Sequence, residues 1–233
     1  MKFGITEVFP CNYIPDEKER LLVHVDSDNT FTSFEYDILL QAGFRRSGSQ
    51  VYRPHCPECN ACQSLRVLVA NFQPSKSQKR VMSKNKHLVS TLSDKTKPEH
   101  YALYENYISE RHSDGSMYPP SMEQYEQFIF NGWQQPLFLE IYDADDLIAV
   151  AVTDETPSSL SALYTYFDPE YTTSSLGSFA ILEQIRWAKV LNKQYVYLGY
   201  QINSCDKMKY KQNFQPNEQY INQQWRSFQK MRN

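Results

Sequence analysis

Three apolar runs, Leu137–Tyr142, Leu147–Thr153 and Leu160–Phe167, follow one another with only a few residues between them. This spacing limits what the chain can fold into more than any other feature. Parallel neighbours need a crossover of about a dozen residues or more, so runs this close pair as an antiparallel meander. The connections agree, because Asp143-Ala144-Asp145-Asp146 and Glu155-Thr156-Pro157-Ser158 carry turn chemistry. Asp168-Pro169 ends the third run. Leu176–Leu191 then has the apolar spacing of a long amphipathic helix, and Tyr195–Tyr200 reads as a further strand.

The segment ahead of the meander reads as helical. Glu99–Arg111 brings Leu103, Tyr104, Tyr107 and Ile108 to helical spacing, and His112–Pro120 is a loop. Ser121 caps a second helix, with Gln124 three residues on. Nearer the start, Thr32–Ala42 is predicted as a helix with Phe34, Ile38 and Leu39 inward, ended by Gly43. Ser64–Ala70 alternates as a strand, and Pro74 opens a basic helix over Ser75–His87. Ser93-Asp94-Lys95-Thr96-Lys97-Pro98 reads as a linker. The expected division is a small N-terminal domain, 1–92, and a larger α+β domain, 93–233.

Charge is distributed unevenly. Between Ile38 and Ser93 stand nine bases and one acid, Glu58, giving +8 in a chain whose net charge is −3. A basic block on an acidic background points to a local anionic partner or to a solvated basic face. The N-terminus MKFGITEVFP lacks the pattern of a secretory signal, and the longest apolar run, Leu147–Val152, is too short to span a bilayer. A cytoplasmic chain with no membrane partner is expected, with cysteines as thiols or ligands rather than disulfides.

Cys56, Cys59 and Cys62 have C-x-x-C-x-x-C spacing, which can converge three sulfurs on one zinc ion or iron–sulfur cluster. Cys11, His55 or Cys205 would be the fourth ligand. A zinc-dependent nucleic-acid-binding protein is one reading of this run. A structural zinc site usually joins two paired knuckles, whereas a single tight cluster is present here.

Three antiparallel strands, a loop, a helix and a strand form an order that resembles the core of GCN5-related acyltransferases. The loop Thr172-Thr173-Ser174-Ser175-Leu176-Gly177-Ser178 leads straight into the helix, where free N–H groups can hold an anion or a polarised carbonyl. Alternatively its serines simply cap their own helix. An acetyl-CoA-dependent N-acetyltransferase on this fold would want a Gly-rich pyrophosphate turn, and only Gly177 is available.

Four separated segments carry a more specific likeness. Tyr52–Val67 (YRPHCPECNACQSLRV), Pro74–Arg80 (PSKSQKR), Tyr166–Ile185 (YFDPEYTTSSLGSFAILEQI) and Tyr195–Pro216 (YVYLGYQINSCDKMKYKQNFQP) resemble, in order, the signatures of the arginyl/leucyl-tRNA–protein transferases. The short length and the cysteine run look like the bacterial leucyltransferase branch. The resemblance implies an aminoacyltransferase that moves leucine from leucyl-tRNA to proteins beginning with Asp or Glu, marking them for N-degron proteolysis. Arginyl transfer by the same chemistry is the near alternative. No cofactor is required for this reaction. The relatives' cysteines make a metal or redox-sensitive cluster conceivable at Cys11, Cys56, Cys59 and Cys62.

Residue roles follow from the resemblance as expectations. The backbone at Leu176, Gly177 and Ser178 would stabilise the oxyanion, with Tyr166 and Asp168 handling protons. Arg53, Arg66, Lys76, Lys79 and Arg80 would receive the acidic acceptor, Lys76 and Arg80 foremost, although the basic helix suits tRNA phosphate equally. Ser174 and Ser175 would hold the terminal ribose, and Tyr197 and Tyr200 the terminal adenine, with the core as the ordinary place for one of these two alternating strand tyrosines. Lys207, Lys209, Tyr210 and Lys211 would contact tRNA.

Overall fold

The computed structural model describes residues 1–26 and 30–228. Its N-terminal part forms β1 (Lys2–Ile5), the short pair β2 (Phe9–Pro10) and β3 (Lys18–Glu19), β4 (Leu21–Val25), α1 (Ser33–Gln41), β5 (Arg45–Ser47), β6 (Gln50–Pro54), β7 (Gln63–Leu68), α2 (Lys76–Lys84) and β8 (Val89–Ser93). Next come α3 (Pro98–Arg111), α4 (Met122–Ile129), β9 (Leu137–Asp143), β10 (Asp146–Glu155) and β11 (Ser159–Phe167). The chain continues through α5 (Leu176–Val190), β12 (Tyr195–Gln201), the short α6 (Asp206–Lys209), β13 (Asn217–Ile221) and β14 (Gln224–Phe228).

β9, β10 and β11 pair antiparallel, as their short connections require. α5 returns the chain as β12, which lies parallel to β11. The fold is thus the expected α+β arrangement of meander, central helix and closing strand. β10 alternates its contacts. Val150 and Val152 pack with Leu103, Tyr104, Ile108, Tyr125 and Ile129 of α3 and α4. Ala149 and Ala151 face the other way, where their small side chains admit Leu176, Phe179 and Ala180 of α5.

The large sheet runs β14-β13-β7-β12-β11-β10-β9-β8, so both ends of it lie outside the meander. β7 sits between β13 and β12, antiparallel to each. Leu65 and Val67 are fully buried there, each contributing about 1.5–3 kcal/mol. β8 pairs with β9. The expected division after residue 92 therefore falls inside β8, and one sheet takes strands from both sides of it. β8, β13 and β14 carry no strong apolar alternation, and their pairing with neighbours of the sheet makes them strands.

A second sheet, β1-β4-β6-β5, packs with α1. Gly43 follows α1 at φ +82°, as the sequence predicts, and Thr32 and Glu35 cap the other end reciprocally. The buried face differs from the prediction. Tyr36, Leu39 and Leu40 are buried, whereas Phe34 and Ile38 are exposed. Tyr36, Leu39 and Leu40 form an i, i+3, i+4 stripe that meets Trp133 and Val51. The two sheets are clamped by Arg46 of β5 and Asp154 of β10. Arg46 Nε and Nη2 donate to the two carboxylate oxygens at 2.7 and 2.6 Å, and both side chains are fully buried. The carbonyls of Gly48 and Ile129 take further guanidinium bonds.

Candidate active site

β11 and β12 pair only at Ser159–Ser161 with Tyr195–Tyr197. Beyond this, β12 follows β7 through a register shift between Tyr197 and Gly199, and its pairing with β11 ends. Arg45 of β5 occupies the gap. Its Nη2 donates to Ala162 O of β11 at 2.7 Å, and its guanidinium lies against Gly199 of β12. Gly199 adopts φ +84°, and a Cβ there would collide with Arg45 Nη1. Glycine is required at this position both for its backbone and for the arginine's room.

Two cavities meet at this gap. The larger, about 580 Å³, has Arg45, Tyr200, Met208 and Lys211 in its wall. The smaller, about 290 Å³, is lined by Arg45 and Lys211 again and by Tyr107, Leu163, Phe167, Gly177, Ile181 and Tyr210. Lys211 donates to Tyr200 O at 2.8 Å. Burial first, then the Arg45 charge, pulls its amine down to about 7, with Cys205 opposing. The segment after β12 therefore arches over the gap, with Lys211 facing both cavities.

Gly177, at the start of α5, brings the first turn of that helix to the smaller cavity. The first i−4 bond of α5 runs from Phe179 N to Ser175 O, so the amides of Leu176, Gly177 and Ser178 precede the helical ladder. Ser175 is the N-cap in a left-handed conformation (φ +52°), and its side chain makes no capping bond. The serine loop does not close its own helix by a side-chain cap. It is held from outside: Lys84 Nζ donates to Thr173 O at 2.8 Å and Asn85 Nδ2 to Ser174 O at 2.7 Å. The C-terminal end of α2 thus props the loop. Lys76, Lys79 and Arg80 remain exposed along α2.

Several expected site residues serve other purposes in the fold. Tyr166 is fully buried between α3 and α4, bonded to Tyr125 Oη at 2.9 Å. Burial first, then Tyr125, pushes its hydroxyl up, and it lines neither cavity. Asp168 accepts from Glu170 N at 2.9 Å within its own turn and lines neither cavity. Arg66 is paired with Glu218 at 2.7 Å and sandwiched between Tyr195 and Trp225, 3.9 and 4.1 Å from their ring centres. Tyr197 is fully buried and receives a bond from Arg66, so it has no free face for a base. Arg53 donates to Ala42 O and lies over Phe44, by a separate groove. Tyr200 donates to the carbonyls of Gly43 and Tyr52 while lining the larger cavity. Lys207 and Lys209 are exposed on α6, where Lys209 pairs with Asp206.

Cys11, Cys56, Cys59 and Cys62 line a third cavity of about 290 Å³ with Glu19, next to Tyr52 and Tyr200. Burial, then Cys56, Cys11 and Cys59, pushes the Cys62 thiol up to about 12. Burial likewise raises Cys56. Among the described residues, no group of three or more His, Cys, Asp or Glu is arranged to hold a metal ion. Nor is any helix long and apolar enough to cross a membrane.

Sequence reasoning counts Arg45 and Arg46 within the basic block without separating them. The signal for Arg45 was Gly199, an isolated glycine inside an apolar strand, which marks a close approach. The partner that approaches comes from more than a hundred residues away and is not legible in the pattern.

The likeness to known proteins covers nearly the whole chain. The model of the arginine-tRNA-protein transferase N terminus matches residues 9–80, and that of its C terminus residues 99–221. The chain is 52% identical over 232 residues to the aspartate/glutamate leucyltransferase of Pseudoalteromonas atlantica, covering 99% of each. It is 50% identical to the protein of that name from Aeromonas salmonicida, covering 97% of this chain and 95% of the relative. Among solved structures, L-PGS from Bacillus licheniformis is similar in fold at a TM-score of 0.51 and 10% identity, over 72% of this chain and 58% of that one. The chain belongs to the arginine-tRNA-protein transferase family.

Proposed function

We propose that the protein transfers leucine from leucyl-tRNA to the free N-terminal amine of proteins beginning with Asp or Glu, in the cytoplasm. One observation carries this reading beyond the names of the relatives. Two cavities meet at a gap in the sheet and share Arg45 and Lys211, and the smaller also lies beside the first turn of α5. That arrangement suits a donor and an acceptor arriving from different sides. The apolar side chains Leu163, Phe167 and Ile181 around the smaller cavity suit a leucyl side chain.

In the reaction, the acceptor nitrogen attacks the ester carbonyl and a C–N bond forms. The carbonyl electrons move to oxygen and then return as the bond to the ribose oxygen breaks. The nitrogen loses a proton and the ribose oxygen gains one. The ester is already activated, so holding both reactants at the gap supplies much of the acceleration. The amides of Leu176, Gly177 and Ser178 are the donors proposed for the oxyanion. A terminal amine titrates at about 7.7–8.0, so part of it is neutral and nucleophilic near pH 7. No cofactor enters this scheme.

The exposed cations Lys76, Lys79 and Arg80 are proposed to contact tRNA phosphates. They share a helix with Lys84, which touches the serine loop. Lys207 and Lys209, exposed on α6, are proposed as further tRNA contacts. The test is transfer of labelled leucine from charged tRNA to peptides beginning Asp, Glu or Ala, in competition with arginyl-tRNA. Leucine on the Asp and Glu peptides alone is expected. Preferential transfer of arginine, or equal labelling of the Ala peptide, would overturn the reading.

A further inference from the structure

Among the described residues, Arg45 is a buried cation without an anionic partner. It is 7% exposed, one guanidinium nitrogen is bonded to a carbonyl, and its Nε and Nη1 have no hydrogen-bond partner. Isolated buried charges are strongly unfavourable unless something compensates them. Among the described residues, neither cavity at the gap has an Asp or Glu in its wall; both have Lys211, a second cation, and the larger also has Arg46, whose charge Asp154 answers. Gly199 gives up a side chain and takes a left-handed backbone to accommodate this guanidinium. Arg46, the next residue, shows what the same fold does for an arginine that only holds structure together: it saturates it.

We propose that Arg45, with Lys211 beside it, receives the side-chain carboxylate of the acceptor's N-terminal Asp or Glu in the larger cavity, and so selects acidic N-termini. This rests on the leucyl-transfer reading above. A guanidinium with two unanswered donors fits a carboxylate once its side chain turns toward the cavity it lines, since Nε and Nη1 are covered as the chain stands. The α-amine of the same residue is only two or three carbons away, which keeps it near the gap where the smaller cavity begins. An N-terminal Asn or Gln is uncharged and leaves Arg45 uncompensated, so it is rejected by charge rather than by size. The assignment moves acceptor selection from the exposed face of α2 to the interior of the strand gap.

The experiment compares wild type with Arg45→Met, Arg45→Lys and Lys211→Gln, using peptides that begin Asp and Asn. Transfer from leucyl-tRNA and direct peptide binding without tRNA are both measured. Arg45→Met is expected to lose about 10- to 100-fold in affinity and kcat/KM for the Asp peptide, bringing Asp and Asn close to parity. Arg45→Lys should keep part of the preference. Lys211→Gln, at the half-buried edge of the gap, should weaken Asp binding less and serves as the readout should Arg45→Met not fold. The triple variant Lys76→Ala, Lys79→Ala, Arg80→Ala should leave the Asp/Asn ratio at the wild-type value. A folded Arg45→Met protein that discriminates Asp from Asn as wild type does would overturn the assignment alone, as would an unchanged ratio in Lys211→Gln. Wild type that moves no leucine to the Asp peptide would overturn the parent reading instead.

Discussion

Arg45 and Arg46 are neighbours on one short strand, yet they enter opposite electrostatic surroundings. Arg46 crosses to the meander and meets Asp154 with two bonds, plus two carbonyls. Arg45 turns into the divergence of β11 and β12 and meets one carbonyl, a glycine and another cation. The period of a strand sends successive side chains to opposite faces, which explains the separation. The difference shows how to tell a structural arginine from one reserved for a ligand: count the donors that the fold leaves unanswered. Burial alone would not distinguish them, since both are more than nine-tenths buried.

The largest effect is expected at the saturated site. Asp154→Ala leaves Arg46 buried and unpaired and should cost about 3–5 kcal/mol of stability, read by urea denaturation. Arg45→Met should shift the same midpoint little or raise it, because it removes a charge that nothing compensates. A large loss in Arg45→Met would erase the contrast. Next in size is Gly199→Ala. The left-handed backbone alone costs about 1–2 kcal/mol, and the displaced guanidinium should lower transfer to Asp peptides further than stability accounts for.

A smaller effect, of about tenfold, belongs to the surface cations. Replacing Lys76, Lys79 and Arg80 together by Ala should weaken tRNA binding and flatten its logarithmic salt dependence by about 2–3, with the melting temperature near wild type. Filter binding at several salt concentrations checks this. A pH-dependent effect concerns Lys211. Its amine is ordinarily near 10.4 and falls to about 7 in the fold, through burial first and then Arg45. Between those values the unfolded chain binds one proton more than the folded one, so stability should rise with pH from about 7 upward, and this rise should vanish in Lys211→Met. An arriving carboxylate favours the charged amine, so acceptor binding above pH 7 should take up a proton. Calorimetry in buffers of different ionisation enthalpy measures that uptake.

Much of the fold was legible in advance. The meander followed from connection lengths, α1 from the glycine that ends it, α2 from Pro74 ahead of it, and α5 from its apolar spacing. Those signals are local, acting within a few residues through hydrogen bonds and side-chain periodicity. The placement of β7, β8, β13 and β14 was not legible, because membership of a sheet is decided by the strand alongside. The inward face of α1 differs from its sequence pattern for a related reason: the stripe that is buried is the one that Trp133, far along the chain, comes to meet.

The site divides in the same way. The sequence by itself determined the serine loop at the start of α5, the basic character of α2 and the clustering of Cys56, Cys59 and Cys62 around one cavity. All of these are properties of contiguous residues. Only the tertiary structure decided which polar groups were consumed. It placed Tyr166 and Tyr197 in the core, paired Arg66 with Glu218, and left Arg45 unpaired between two cavities. The physical reason is that a charged side chain's role depends on what desolvates it and what answers it. Here those partners come from strands more than a hundred residues apart.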